Sequence, residues 1–225
     1  MANIFTSSIG KKLIMSISGL FLILFLFVHA LVNGLSLISG DAFNVGCEFM
    51  SLPIVTIMVP VLAAGFIIHI IYAFVLNLIN YKARGTQRYA VTNKAKTDDW
   101  ASTNMLVLGI IVLGVLAFHL THFWAKMQLP ELIGEHAQIG SVLLAETFSK
   151  LWILIVYIVW FIALWFHLCH GFWSAFQTLG LNNSVWFCRW KVIGIVVATI
   201  LCLVFIAVAV NAYLANCSCC AAVAC

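Results

Sequence analysis

Charge is what this sequence has least of: Asp, Glu, Lys and Arg together make up 8% of its 225 residues. A soluble domain carries about a quarter, so an ordinary globular protein is excluded. A water-soluble helical bundle is excluded as well. Its helices need polar outer faces, and several runs here are apolar all round. Internal repeats are missing, as is any stretch that reads as a soluble domain. No small-x-small cleavage site closes the first apolar run, which also outruns a signal-peptide core, so it reads as a retained membrane helix. What is present is apolar: 64% of the residues are hydrophobic and the mean hydropathy is +1.14. The composition is that of an integral membrane protein.

A hydrocarbon core of about 30 Å needs roughly 20 residues of helix. Five runs qualify, at about 13–35, 54–80, 103–126, 149–177 and 190–213. Pro60 falls inside the second, where neighbouring helices satisfy the carbonyl it frees. The expected fold is therefore all-α, a bundle of five transmembrane helices. The formal net charge of +4 matters by loop, not as a nucleic-acid signal, and no nucleic-acid partner is expected. With the N-terminus inside, Lys11, Lys12, Lys82, Arg84, Arg88, Lys94, Lys96, Arg189 and Lys191 all lie on the cytoplasmic side, nine of the eleven basic residues. The other side keeps Lys126 and Lys150 with Asp41, Glu48, Glu131, Glu135 and Glu146. This asymmetry places the N-terminus in the cytoplasm and the C-terminus outside.

Six of the seven histidines fall within the apolar runs: His29, His69, His119, His122, His167 and His170. His136 lies in an outer loop. A single buried histidine is adequately explained by a hydrogen bond to a neighbouring helix. Four helices each holding one are harder to explain that way, because polar groups in lipid are expensive. At about 1.5 Å per residue, His29 and His119 lie roughly 9 and 10 Å before the outer ends of their runs. His69 and His167 lie roughly 22 and 26 Å from theirs, so the four form two levels about 12–16 Å apart. Two imidazoles on different helices at one level suit a six-coordinate haem, whereas zinc wants three or four convergent ligands. No C-x-x-C-H motif occurs, so such a haem would lack thioether bonds. None of the runs offers a well-placed Asp or Glu. Depth alone pairs His29 with His119 or His122, and His69 with His167 or His170. Small residues (Gly19, Ala30, Asn33, Ala63, Ala64, Gly65, Ala73, Gly109, Gly114 and Gly171) surround these positions and permit close approach.

The stretch "HLCHGFWSAFQTLG" resembles the fourth membrane helix of the succinate dehydrogenase/fumarate reductase cytochrome b family. "SGLFLILFLFVHALVN", "IIHIIYAFVLNLINYKAR" and "WASTNMLVLGIIVLGVLAFHLTHFW" resemble its first three, in order. The resemblance covers residues 1–215 and is nearest to the single-chain, five-helix, two-haem anchor of bacteria. It implies two b haems with His29 and His119 on the outer haem and His69 and His167 on the inner. It also implies a quinone, expected to be menaquinone, and a flavoprotein and an iron–sulfur subunit docked on the cytoplasmic face of the bacterial inner membrane. The dicarboxylate chemistry then lies on the partner, and this chain passes electrons between quinone and iron–sulfur subunit. Glu48 is the outer candidate for the quinone site; Lys82 and Arg84 are candidates for haem propionates. Some two-haem relatives carry a glutamate two residues before the fourth-helix ligand, where this chain has Trp165, which puts that proton pathway in doubt. The rival readings are a dihaem cytochrome b of a hydrogenase or formate dehydrogenase, and a structural anchor whose histidines only hydrogen-bond.

The chain has eight cysteines. Cys169 and Cys202 sit in apolar runs and behave as small hydrophobes. The tail 216–225, with Cys217, Cys219, Cys220 and Cys225, lies beyond the resemblance and is expected to lack fixed structure.

Overall fold

The computed structural model of the chain describes residues 7–84 and 100–223, with side chains for 7–83 and 100–217. Arg88, Lys94 and Lys96, used above to orient the chain, fall outside the described residues. The described chain is helical and contains no strand. Its α-helices are α1 (Ser8–Gly34), α2 (Gly40–Met50), α3 (Pro53–Thr56), α4 (Met58–Arg84), α5 (Trp100–Thr103), α6 (Met105–His119), α7 (Gln128–Ile133), α8 (Gly140–Thr147), α9 (Leu151–Thr178) and α10 (Trp186–Val223). A 3-10 turn, Leu35–Leu37, follows α1, and a π turn, Leu120–Trp124, follows α6.

Five helical stretches are long and apolar enough to cross a membrane: Ser8–Leu37, Pro53–Ala83, Met105–Trp124, Leu151–Thr178 and Trp186–Cys217. They match the five expected runs, with three ends that differ. The first begins before Lys11 because the Ser7 hydroxyl accepts from the Gly10 amide at 3.0 Å, capping the helix. The last begins at Trp186, where a linker was expected. Asn183 Oδ1 accepts from the amides of Val185 and Trp186 at 3.0 and 2.9 Å, starting the helix despite Arg189 and Lys191. Its far end also differs from expectation, for α10 continues through Val223 where a tail without structure was anticipated. Ala224 and Cys225 are outside the described residues.

The linkers contain helices that periodicity did not single out. Ser39 caps α2 through the Ala42 amide at 3.0 Å, and Asp41 in the first turn complements the helix dipole. Gly134 ends α7 with φ +78°, the left-handed conformation a glycine reaches without penalty.

By contact density the chain divides into two compact units. The first comprises Met1–Phe25, Pro60–Ile110 and Phe166–Ala198. Its packing relies on absent side chains. A Cβ on Gly65 would come within 2.8 Å of the Phe21 ring, and one on Gly194 within 3.0 Å of Phe172. An aromatic cluster closes this unit: Phe176 stacks on Trp190 at 4.0 Å, and Trp190 on Trp186 at 5.2 Å. The Lys191 ammonium lies 4.7 Å from the ring centres of both Trp173 and Phe187. Such amphipathic rings with cations suit the level of lipid headgroups.

The second unit comprises Leu26–Val59, Ile111–Trp165 and Thr199–Cys225. Its core is aromatic and dense, with Leu143 and Tyr157 fully buried. Here α2 lies against α8: a Cβ on Gly140 would meet Cys47 Sγ at 2.7 Å, and the Ser141 amide donates to Asn44 Oδ1 at 2.9 Å. Ser51 and Gln128 both donate to the Glu131 carboxylate, at 2.7 and 3.2 Å.

Candidate functional site

Each unit holds one facing pair of imidazoles contributed by two different helices. In the first unit, His69 of α4 faces His167 of α9, ring centres 6.4 Å apart and planes inclined at 66°. In the second, His29 of α1 faces His119 of α6, at 5.9 Å and 90°. These are the four histidines expected as ligands. The neighbours one turn away point elsewhere. His122 lies within 3.0 Å of the Phe118 carbonyl through Nδ1, and its ring packs on Phe118 at 4.1 Å. His170 packs edge-on to Trp173 at 5.1 Å. His136 is exposed.

The spacing can be compared with haem ligation. A histidine nitrogen sits about 2 Å from a bound metal and roughly 1.1 Å from its own ring centre, so two trans imidazoles place their centres roughly 6 Å apart. Both observed separations agree with this figure. A direct hydrogen bond between the rings would bring the centres closer, since its nitrogens would stand only about 3 Å apart.

Hydrogen bonds supply a second test, through the ring nitrogen left for a metal. Asn33 Nδ2 donates to the His29 carbonyl at 2.8 Å, which fixes this nitrogen as the amide donor. The same nitrogen stands 3.4 Å from His29 Nε2, which must therefore carry a lone pair. At that length the contact is weak and gives way to a stronger partner. Ser18 Oγ lies 3.2 Å from His69 Nδ1, and the Tyr157 hydroxyl 3.4 Å from His119 Nδ1. In both, Nε2 is left for a ligand. His167 Nδ1 and the Trp160 indole N–H are buried without a hydrogen-bond partner among the described residues. Trp160 stands 5.6 Å from His119, ring to ring. A buried donor left unpaired costs free energy unless something bound at the site accepts from it. The residues present thus fit a haem at each pair.

Small side chains abut the rings of the first unit. A Cβ on Gly19 would lie 3.2 Å from His69 Cε1, and one on Gly109 would lie 3.9 Å from His167 Cε1. Gly114, also expected to make room, has nothing within 4 Å of its would-be Cβ. Around the second pair the neighbours are aromatic. Phe123 lies 5.1 Å and Tyr157 6.1 Å from His119, and Phe205 lies 5.7 Å from His29.

Of the other expected residues, Glu48 is exposed on α2 and Lys82 is exposed near the end of α4. The side chain of Arg84 is outside the described residues. Burial, and then the charges of Glu131 and Glu48, push the neighbouring Cys47 thiol up to about 11. Trp165 donates its indole N–H to Thr199 Oγ1 at 2.9 Å, beside a cavity of about 180 Å³ lined by Phe161, Cys202 and Leu203. An indole committed in this way offers no titratable proton at this position.

Sequence reading did not single out Ser18, Tyr157 or Trp160. Each is a polar atom in an apolar run, as the histidines are, and that signal could have found them. No protein-family model matches this chain, and neither a curated protein nor a solved structure matches it.

Proposed function

We propose that the chain is the membrane anchor and electron-transfer subunit of a succinate dehydrogenase or quinol:fumarate reductase. On this reading it holds two b haems, one between His29 and His119 and one between His69 and His167. The observation that carries the reading is the pair of facing imidazoles in each unit, at the ring separation that two trans ligands to one metal require. Support also comes from the four motifs that resemble the cytochrome b family.

Haem, when bound, supplies a one-electron couple. The chain's own residues bind it and set its surroundings. The four imidazoles orient the group, and Asn33 and Ser18 hold His29 and His69 with Nε2 free of a proton. The aromatic shell of Tyr157, Trp160, Phe161 and Phe205 keeps water from the second pair. A quinol gives up two protons as it is oxidised, and Glu48 is the exposed carboxylate offered to accept one. Glu131, already engaged by Ser51 and Gln128, is less suited to that task.

The lysine and arginine placement supports a cytoplasmic N-terminus, and the resemblance to the bacterial two-haem anchors implies a bacterial inner membrane. The flavoprotein and iron–sulfur partners then dock on the cytoplasmic side, and the dicarboxylate reacts on the partner. The test is purification from membranes without dissociating partners. The expected result is two b haems per chain in a reduced-minus-oxidised spectrum, co-purifying flavin, and fumarate reduction by a menaquinol analogue or succinate oxidation. Absence of b-type bands sinks the reading. Bands without flavin redirect it to a hydrogenase- or formate dehydrogenase-type cytochrome.

A further inference from the structure

We infer that Ser18 and Gly19 form a seat that fixes the tautomer and position of His69, making Ser18 the positioning residue of the first unit's haem ligand. The inference rests on the haem reading above and extends it to residues that do not touch the haem iron.

Ser18 lies on α1 and is only 8% exposed. A serine hydroxyl has one proton. In Ser18 that proton is given to the Met15 carbonyl at 3.1 Å. Toward His69 Nδ1, 3.2 Å away, Ser18 Oγ therefore presents a lone pair, and Nδ1 must carry the hydrogen. Ser18 thus selects the tautomer in which Nε2 is bare, as a metal ligand must be.

Gly19 sets the ring's place. Its would-be Cβ lies 3.2 Å from His69 Cε1, tighter than most side-chain contacts, and 3.6 Å from Nδ1, an ordinary contact. The imidazole rests against the bare α1 backbone, and a methyl here would have to push the ring a few tenths of an ångström from its place beside Ser18. The facing imidazole has no such seat among the described residues, where His167 Nδ1 is buried without a hydrogen-bond partner. Orientation of the first pair therefore depends on one side of it.

A partner of this kind holds the ring and raises its basicity, and losing one typically costs about 10–100-fold in metal affinity. The experiment compares Ser18→Ala, Ser18→Thr and Gly19→Ala with the unaltered full-length protein and whatever partners it retains. It follows haem transfer to excess apomyoglobin, low-spin ferric EPR signals and midpoint potentials. The expected result for Ser18→Ala is that one of two haems is lost roughly tenfold or more faster. Its EPR signal shifts and its midpoint potential rises, since a less basic ligand stabilises ferric iron less. The second haem stays unchanged. Ser18→Thr, which keeps the hydroxyl, restores unaltered behaviour. Should Ser18→Ala not be recovered folded, Gly19→Ala keeps the hydroxyl but displaces the ring, and the same single haem should respond.

If the unaltered protein carries two haems and neither Ser18→Ala nor Gly19→Ala alters either, the seat is overturned while the haem reading stands. Equal disturbance of both haems also overturns it, since only one has this seat. If the unaltered protein shows no b-type bands, the haem reading itself fails and takes the seat with it.

Discussion

The two histidine pairs are built from the same side chain but held by different means. In the first unit, His69 leans on a serine hydroxyl and a bare glycine, and His167 is buried with Nδ1 unpaired. In the second, Phe123, Tyr157 and Trp160 surround His119 and Phe205 packs on His29, with Asn33 Nδ2 and the Tyr157 hydroxyl each 3.4 Å from a ring nitrogen. One pair is positioned by hydrogen bonding and close backbone approach, the other by aromatic volume. Two sites of equal ligand set should therefore respond to opposite kinds of substitution: the first to loss of a polar atom, the second to loss of bulk.

The strongest way to break this comparison is to remove a ligand. On the two-haem proposal, His167→Ala should take haem b from two per chain to one by pyridine haemochrome assay, whereas His170→Ala should leave two. In the other unit His119→Ala and His122→Ala should behave in the same respective ways. A swap within either pair of variants would show that the facing rings have been misassigned.

Bulk comes next. Tyr157 is 2% exposed, and truncating a buried aromatic to alanine costs about 3–5 kcal/mol. Tyr157→Ala should therefore lower the thermal midpoint markedly, while Tyr157→Phe, which removes only a 3.4 Å contact, should cost about 1 kcal/mol or less. Equal effects would mean that the hydroxyl matters in the second unit as well. Gly65→Ala tests close approach in the first unit. Its new methyl would lie 2.8 Å from the Phe21 ring, and overpacking of this kind costs about 1–3 kcal/mol.

Trp160→Phe sharpens the comparison without large cost. The lost ring volume destabilises, but removing a buried donor unpaired among the described residues offsets part of that, so the unliganded protein should lose less in a thermal melt than Tyr157→Ala does. A loss of haem affinity in the same variant would show that the indole N–H donates to the bound group.

The smallest effect concerns Cys47. Its thiol is raised from 9.0 to about 11. At pH 8 its thiolate, and hence its alkylation rate, should be roughly a hundredfold below that of an ordinary cysteine. Because the raised value delays deprotonation, the rate should climb with pH until about 11. Glu131→Gln removes one of the two charges responsible and should speed alkylation at every pH below that. A rate independent of residue 131 would discount that charge.

Much of this architecture was legible because the bilayer imposes a length. An apolar run of about 20 residues can be counted without knowing what it touches. Counting also put His29 level with His119 and His69 level with His167, since depth along a helix follows from residue number. Facing direction does not follow so simply, and that is where the reading ran out. With Lys11 and Arg189 left in the flanking segments, the expected helix starts fell too late, at about 13 and 190 instead of Ser8 and Trp186. Ser7 and Asn183 set the actual starts, and long basic side chains can reach the headgroups from within a helix. Helix α2 went unread because its core-facing residues, Phe43 and Gly46, make sense only once α8 and Val32 are beside them. Ser18 was invisible for a similar reason, since its importance depends on the ring it meets, 51 positions along the chain.

The π turn at Leu120–Trp124 has one more consequence. There the Ala125 amide reaches back five residues, to the Leu120 carbonyl, at 2.9 Å. Wider winding advances each residue by about 80° instead of about 100°. Three steps from His119 then carry His122 to roughly 120° away around the rod, where tight winding would leave it roughly 60° away. The extra residue thus acts as a spacer that settles which of two imidazoles meets His29. Deleting Phe123 or Trp124, which keeps His119 and His122 three residues apart, should let the tighter winding return and bring both rings into competition for the same partner.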